Sequence, residues 1–298
     1  MEELLAFVAA HKPYIFAGAA LILAPFIGVI LMGLDRILTA RIQGRVGPPL
    51  LQPLYDVFKL LGKDPIALNR VQIVYAWLHL ALMMLVVVLL AMGQDLLMIL
   101  FVHAFSNIAL ILGGMSVRSP YSRIGSQRQI MQMIAYEPIL VLMVVGIYLS
   151  FNTFQIARIP GGSIPLLVQL PLVFLAFQMV IAIKLQKSPF DVSTSHHAHQ
   201  ELVKGITIEY SGPYLALIEV THLYEVCVLY AVVALFWAPN IFIGVILAAA
   251  SFLFQIILDN ASARLTTMWM LRYMWTLPMV LAVSNIVWLY LKNGSPLG

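Results

Sequence analysis

Val71 to Met92 reads VQIVYAWLHLALMMLVVVLLAM, Gly93 and Gln94 interrupt it, and Asp95 to Gly113 reads DLLMILFVHAFSNIALILG. A helix that crosses a bilayer needs about 20 mainly apolar residues, and each of these runs supplies them. In hydrocarbon every backbone N–H and C=O must be satisfied within the protein, which a helix does along its own length. Two unbroken apolar runs joined by two residues therefore predict a tight transmembrane hairpin. Six further runs have the same character, at 14 to 34, 131 to 150, 166 to 183, 214 to 237, 239 to 258 and 274 to 291. The sixth and seventh meet at Pro239 and Asn240, a second tight junction. The fold class expected is an all-α polytopic membrane protein, one integral membrane domain over residues 1–298, with eight transmembrane helices.

Composition supports this and excludes much else. Of 298 residues, 62% are hydrophobic and 10% charged, against roughly 25% charged in soluble domains. That is too little charge to cover a water-facing globule, so a soluble enzyme is excluded. Glu2 and Glu3 stand where a signal peptide would carry cations, and the run from Tyr14 to Leu34 exceeds a signal h-region, so it is read as a retained first span. The single cysteine, Cys227, permits no internal disulfide and no four-thiolate iron–sulfur site.

The cations fix a predicted orientation. Loops one, three, five and seven carry fourteen of the 17 Lys and Arg, among them Arg41, Arg45, Arg123, Lys184 and Arg264; Lys12, Arg158 and Lys292 are the other three. Basic loops stay in the cytoplasm, so both termini are expected outside and a nucleic-acid partner is not indicated. In the first loop, Leu51, Leu54, Val57, Phe58 and Leu61 share one helical face. A short amphipathic helix over Leu50 to Gly62 is expected along the interface, with Lys59 and Lys63 toward water.

Soluble-enzyme motifs are missing: there is no GxGxxG, P-loop, CxxC, HExxH or GxSxG. No catalytic residue is assigned. Ionisable groups inside the membrane are the informative class, each costing on the order of 2.5 to 3.5 kcal/mol on insertion scales. Span four carries Glu137; span six carries Glu219, His222 and Glu225. Three residues advance a helix by about 300° and 4.5 Å, so these three form one polar stripe that leads inward. If spans four and six start at the cytoplasmic face, Glu137 and Glu219 lie about 9 Å in and Glu225 about 17 Å in. His103 on span three falls at similar middle depth. Two readings fit the stripe: a relay for protons or ions, and protonated carboxyls that donate hydrogen bonds between helices.

The third cytoplasmic loop is dense in titratable groups: Asp191, His196, His197, His199, Glu201 and Glu209. Its closely spaced histidines lack a second ligand cluster, so no metal site is assigned. A protonatable, partner-facing surface fits better. With Asp35, Arg41 and Arg45 of the first loop it makes the expected coupling and docking face.

Pro189-Phe190-Asp191, then Glu201-Leu202-Val203, then Glu209-Tyr210-Ser211-Gly212 resemble the PFD…ELV…EYSG signature of the complex I subunit that joins the membrane arm to the hydrophilic arm of NADH-quinone oxidoreductases. Arg41-Ile42-Gln43-Gly44-Arg45-Val46-Gly47-Pro48 resembles its R-x-GP motif, and Tyr136-Glu137 fits as well. The resemblance covers essentially the whole chain.

Three departures resemble instead the Ech-type, group 4 energy-converting [NiFe] hydrogenases. The Ser193 to Gln200 stretch lengthens the interval between Asp191 and Glu201. Lys184 stands where the quinone subunit usually has glutamate. The last cytoplasmic loop holds only Arg264 and Arg272. This resemblance implies a non-catalytic anchor beneath hydrogenase large and small subunits. It implies a ferredoxin-like iron–sulfur subunit and an antiporter-like membrane subunit as further partners, in a prokaryotic cytoplasmic membrane. The [NiFe] centre and iron–sulfur clusters would belong to those partners, with no cofactor on this chain. The rival, a quinone-site subunit, should show a headgroup-sized cavity opening near Arg45 and Asp35.

Overall fold

The computed structural model describes residues 2–66, 69–161, 164–190 and 203–293. Asp191, His196, His197, His199 and Glu201 lie outside them. Among the described residues ten α-helices follow in order: α1 Glu2–Ile42, α2 Gln52–Leu61, α3 Arg70–Ala91, α4 Leu96–Met115, α5 Pro120–Phe151, α6 Leu166–Gln169, α7 Pro171–Lys184, α8 Pro213–Leu235, α9 Ile241–Ala261 and α10 Thr267–Asn293. Short 3₁₀ segments span Ile156–Gly161 and Val203–Thr207. Seven of the described helices are long and apolar enough to cross a membrane, and Pro171–Lys184 is a shorter apolar one.

The expected fifth span is therefore corrected. Leu170 leaves the helical region at φ −125° and ψ 51°, and α7 restarts at Pro171. Proline has no N–H to give and disfavours helical backbone at the residue before it, so an apolar run with Pro171 inside it breaks. The 14 residues of α7 reach about 21 Å, short of an approximately 30 Å hydrocarbon core.

The other expected spans are present but several are longer. Helix α5 begins at Pro120, whose missing N–H is harmless in a first turn, so most of the expected second cytoplasmic loop is helix. Hydropathy marks where a helix is apolar, not where it stops. Helix α1 likewise continues past Leu34 through Arg41, and α10 begins before Arg272.

The hairpin between α3 and α4 turns at Gly93, whose φ of +67° is open to glycine, and Ala157 packs so close that a Cβ there would sit 2.9 Å from Ala157 Cβ. Asp95 then caps α4, its carboxylate accepting from the N–H of Leu97 at 2.9 Å and of Met98 at 3.4 Å. Asn240 does the same for α9, accepting from the N–H of Phe242 at 3.0 Å.

The largest core joins α5, α7, α8, α9 and α10 through Tyr136, Val144, Phe177, Val180, Val233, Phe236, Ile256 and Met274, all buried. Helix α8 crosses α1 closely enough that a Cβ on Gly28 would meet the Leu223 carbonyl, so the glycine sets that approach. Helix α2 is the expected amphipathic one. It buries Val57 beside Ala216, Leu223 and Val29 while Phe58 and Leu61 stay exposed on its apolar face. Arg36 donates to Asp56 at 2.7 Å and so ties α2 to α1.

Candidate functional site

Every expected relay residue on α8 faces one cavity. Its volume is about 510 Å³, and its lining includes Glu219, His222 and Glu225 of α8, Asp35 and Arg36 of α1, Arg45 of the following loop, Tyr136 of α5, and Lys184 and Lys187. The two ends differ in character. Arg45 is exposed and interacts with Gln43 at the mouth, whereas Glu225 and Lys184 are buried.

At the buried end, Lys184 Nζ donates to Glu225 Oε1 at 3.2 Å. His103 Nε2 of α4 lies 3.3 Å from the same oxygen and 3.4 Å from Lys184 Nζ. One imidazole nitrogen serves either as donor to the carboxylate or as acceptor from the ammonium, so the pair of contacts encodes two alternatives that differ by a proton. The other Glu225 oxygen, Oε2, sits 3.6 Å from His222 Nδ1, one helical turn back toward Glu219. Lys184 Nζ also lies 4.5 Å above the centre of the Tyr136 ring, where a desolvated cation–π contact adds to its hold. Both partners of the ion pair are mostly withdrawn from solvent, with side chains 3% and 12% exposed.

Lys184 is the principal residue that sequence reasoning misplaced. It is the last residue of α7, buried, and not one of the cytoplasmic-loop cations. The signal was present: a lysine that closes the apolar stretch VFLAFQMVIAI without any intervening turn residue belongs to the helix. Glu137 is corrected too. Helix α5 starts at Pro120, so Glu137 is about 25 Å along it, and its neighbour Tyr136 meets Lys184 at the level of Glu225. One of its carboxyl oxygens, Oε1, is buried without a hydrogen-bond partner.

His79, absent from the expected relay, also lines the cavity; its Nδ1 is 2.8 Å from both the carbonyl and the hydroxyl oxygen of Ser106. Asn107 donates to the His103 carbonyl at 3.0 Å.

The expected docking residues separate. Arg41 and Arg45 are exposed, and Glu209 is half-buried just before α8. Asp35 is instead tied inward by an ion pair with Lys187. The next residue, Ser188, donates its N–H to Asp259 Oδ1 of α9 at 2.9 Å. The segment from Lys184 to Phe190 is thus held at one end by Glu225 and further along by Asp35 and Asp259. Below this loop Tyr210 is buried, which raises its phenol pKa.

The family described as NADH dehydrogenase matches residues 16–290. The H-type membrane subunit of the NADH-quinone oxidoreductase of Bacillus thuringiensis strain Al Hakam is 32% identical over 269 residues, covering 80% of each chain. Its counterpart from Bacillus cereus strain AH187 matches equally, at 32% over 269 residues. Among solved structures, a chain of an archaeal respiratory membrane complex, the membrane-bound sulfane sulfur reductase, superposes with a TM-score of 0.80 at 21% identity, over 93% of this chain and 99% of that one. At that identity the likeness is one of fold. With eight apolar segments in this arrangement and a family match from end to end, the chain belongs to the NADH dehydrogenase family, as a membrane subunit of the complex I-like kind.

Proposed function

We propose that the chain is the membrane anchor and ion-coupling subunit of a ferredoxin-linked, hydrogen-evolving [NiFe] hydrogenase complex. It converts electron transfer in a peripheral arm into proton or sodium movement. The observation that carries the coupling reading is the buried Lys184–Glu225–His103 cluster at the inner end of a cavity whose mouth lies at the first cytoplasmic loop. A charge change at the mouth is felt at the cluster because little water separates them and the low dielectric lengthens its reach. Glu219 and His222 supply proton-exchanging steps between the two. Arg41, Arg45, Asp191, His196, His197, His199, Glu201 and Glu209 form the docking face for the hydrogenase small and large subunits and a ferredoxin-like subunit. The clusters and the nickel–iron centre belong to those partners, and an antiporter-like subunit takes the ion onward. The cation distribution supports placement in a prokaryotic cytoplasmic membrane with both ends outside.

The choice of a hydrogenase arm rests on the sequence departures, above all Lys184, which puts a cation where the quinone-reducing subunits resemble one another in carrying glutamate. A second reading is favoured by one observation: a cavity of about 510 Å³ lined by Asp35, Arg36 and Arg45 is large enough for a quinone headgroup and opens where that reading requires it. Isolation of the complex from native membranes decides between them. A nickel-containing large subunit and hydrogen evolution from reduced ferredoxin, insensitive to quinone-site ligands, are expected. Quinone reduction blocked by such ligands, with no nickel subunit present, would overturn the hydrogenase assignment.

A further inference from the structure

Lys184 faces two carboxyl groups and neutralises one. Its ammonium is paired with Glu225 at 3.2 Å, while it stands over Tyr136, the residue directly before Glu137 on α5. Glu137 is within electrostatic reach of the same ammonium, and its Oε1 is buried with no hydrogen-bond partner. A buried charge without a counter-ion is expensive, so the trio of Lys184, Glu225 and Glu137 is stable with one carboxylate ionised and the other protonated. His103 and His222 also face Glu225, and Glu219 and His79 line the adjoining cavity.

We propose that Lys184 is a two-position switch, its ammonium exchanging between Glu225 on α8 and Glu137 on α5. In the position seen here Glu225 is ionised and Glu137 holds the proton. A proton that arrives through His222 adds to Glu225 and dissolves the ion pair. The ammonium then crosses the Tyr136 ring to Glu137, which gives up its proton as the cation approaches. One proton enters from the α8 side and one leaves on the α5 side. The trio is neutral before and after, so no net charge is built up in the membrane interior at either resting state. The four-carbon lysine stem can make this excursion without moving a helix, which a shorter or planar cation could not. The switch deepens the coupling role proposed above and rests on it.

The test is infrared difference spectroscopy of the intact purified complex between its oxidised and reduced states, in the region of the protonated-carboxyl stretch. A switch predicts one band lost and one gained. Because the two events are obligatorily linked, Glu137→Gln and Glu225→Gln should each abolish both bands. Glu137→Asp, which keeps an acid at the position, should retain both and displace one, and it covers the case in which Glu137→Gln does not assemble. If Glu137→Gln leaves the Glu225 band intact, or Glu137→Asp displaces neither, the switch is overturned while the coupling role of α8 stands. If Glu225→Gln also leaves the bands unchanged and ion uptake per electron is unaffected, the coupling role falls with it.

Discussion

Two buried polar clusters lie in the same helical bundle and are built from different chemistry. Between α7 and α9, Gln178 donates to Ser251 at 3.0 Å, and Gln255 donates to the Gln178 backbone carbonyl at 2.8 Å and its side-chain oxygen at 3.1 Å. All three residues are buried, and none carries charge. Lys184, at the end of the same helix α7, joins Glu225 and His103 in a cluster made entirely of ionisable groups. The amide cluster demonstrates that this bundle can be clamped with neutral hydrogen bonds. Ionisable residues are therefore not needed for packing, and their desolvation cost calls for another reason. Placement supplies it, since the ionisable cluster borders the cavity that leads to the first cytoplasmic loop and Gln178, Ser251 and Gln255 do not line it.

The comparison breaks most sharply at Lys184. Lys184→Met leaves Glu225 with no ammonium beside it, a loss of about 3 to 5 kcal/mol for a buried pair with one partner removed. Thermal unfolding of the purified complex should register it. The double variant Lys184→Met with Glu225→Gln removes both charges and should recover most of that stability, but not ion uptake by vesicles. Recovery of uptake in the double variant would mean that the charges serve assembly alone.

Glu225→Gln is a gentler probe. Gln preserves shape and some hydrogen bonding, so the complex should assemble while ions moved per electron fall several-fold, with hydrogen turnover and uptake measured together in vesicles. Glu219→Gln, nearer the mouth, should act in the same direction and less strongly. An unchanged ratio in both would take α8 out of the mechanism.

Gln255→Leu is expected to have the smallest effect. Interhelical hydrogen bonds in membranes contribute roughly 0.6 to 2 kcal/mol, so a stability loss of about that size should appear with an unaltered ion-to-electron ratio. A fallen ratio in Gln255→Leu would erase the distinction between the two clusters.

Much of this protein is legible in its order of residues. The apolar runs located all eight helical segments, because hydrocarbon demands an internally satisfied backbone and the demand is written as composition. Asp95 and Asn240 announced helix starts, and the three-residue spacing of Glu219, His222 and Glu225 placed them on one face, since helical periodicity is a local property. The motifs at Arg41 to Pro48 and Pro189 to Asp191 pointed to the family. What the chain could not reveal alone was depth and partnership. Helix α5 runs eleven residues further toward its N-terminus than hydropathy marked, which moved Glu137 from beside Glu219 to the level of Glu225. Pro171 shortened the fifth span, so Lys184 ends a helix inside the bundle rather than opening a loop. His103, Lys184 and Glu225 come from α4, α7 and α8, as much as 122 positions apart. A sequence records which side chains can carry charge, but only the packing of those helices decides which charges face one another, because Coulomb energy depends on separation in space and on the water excluded between.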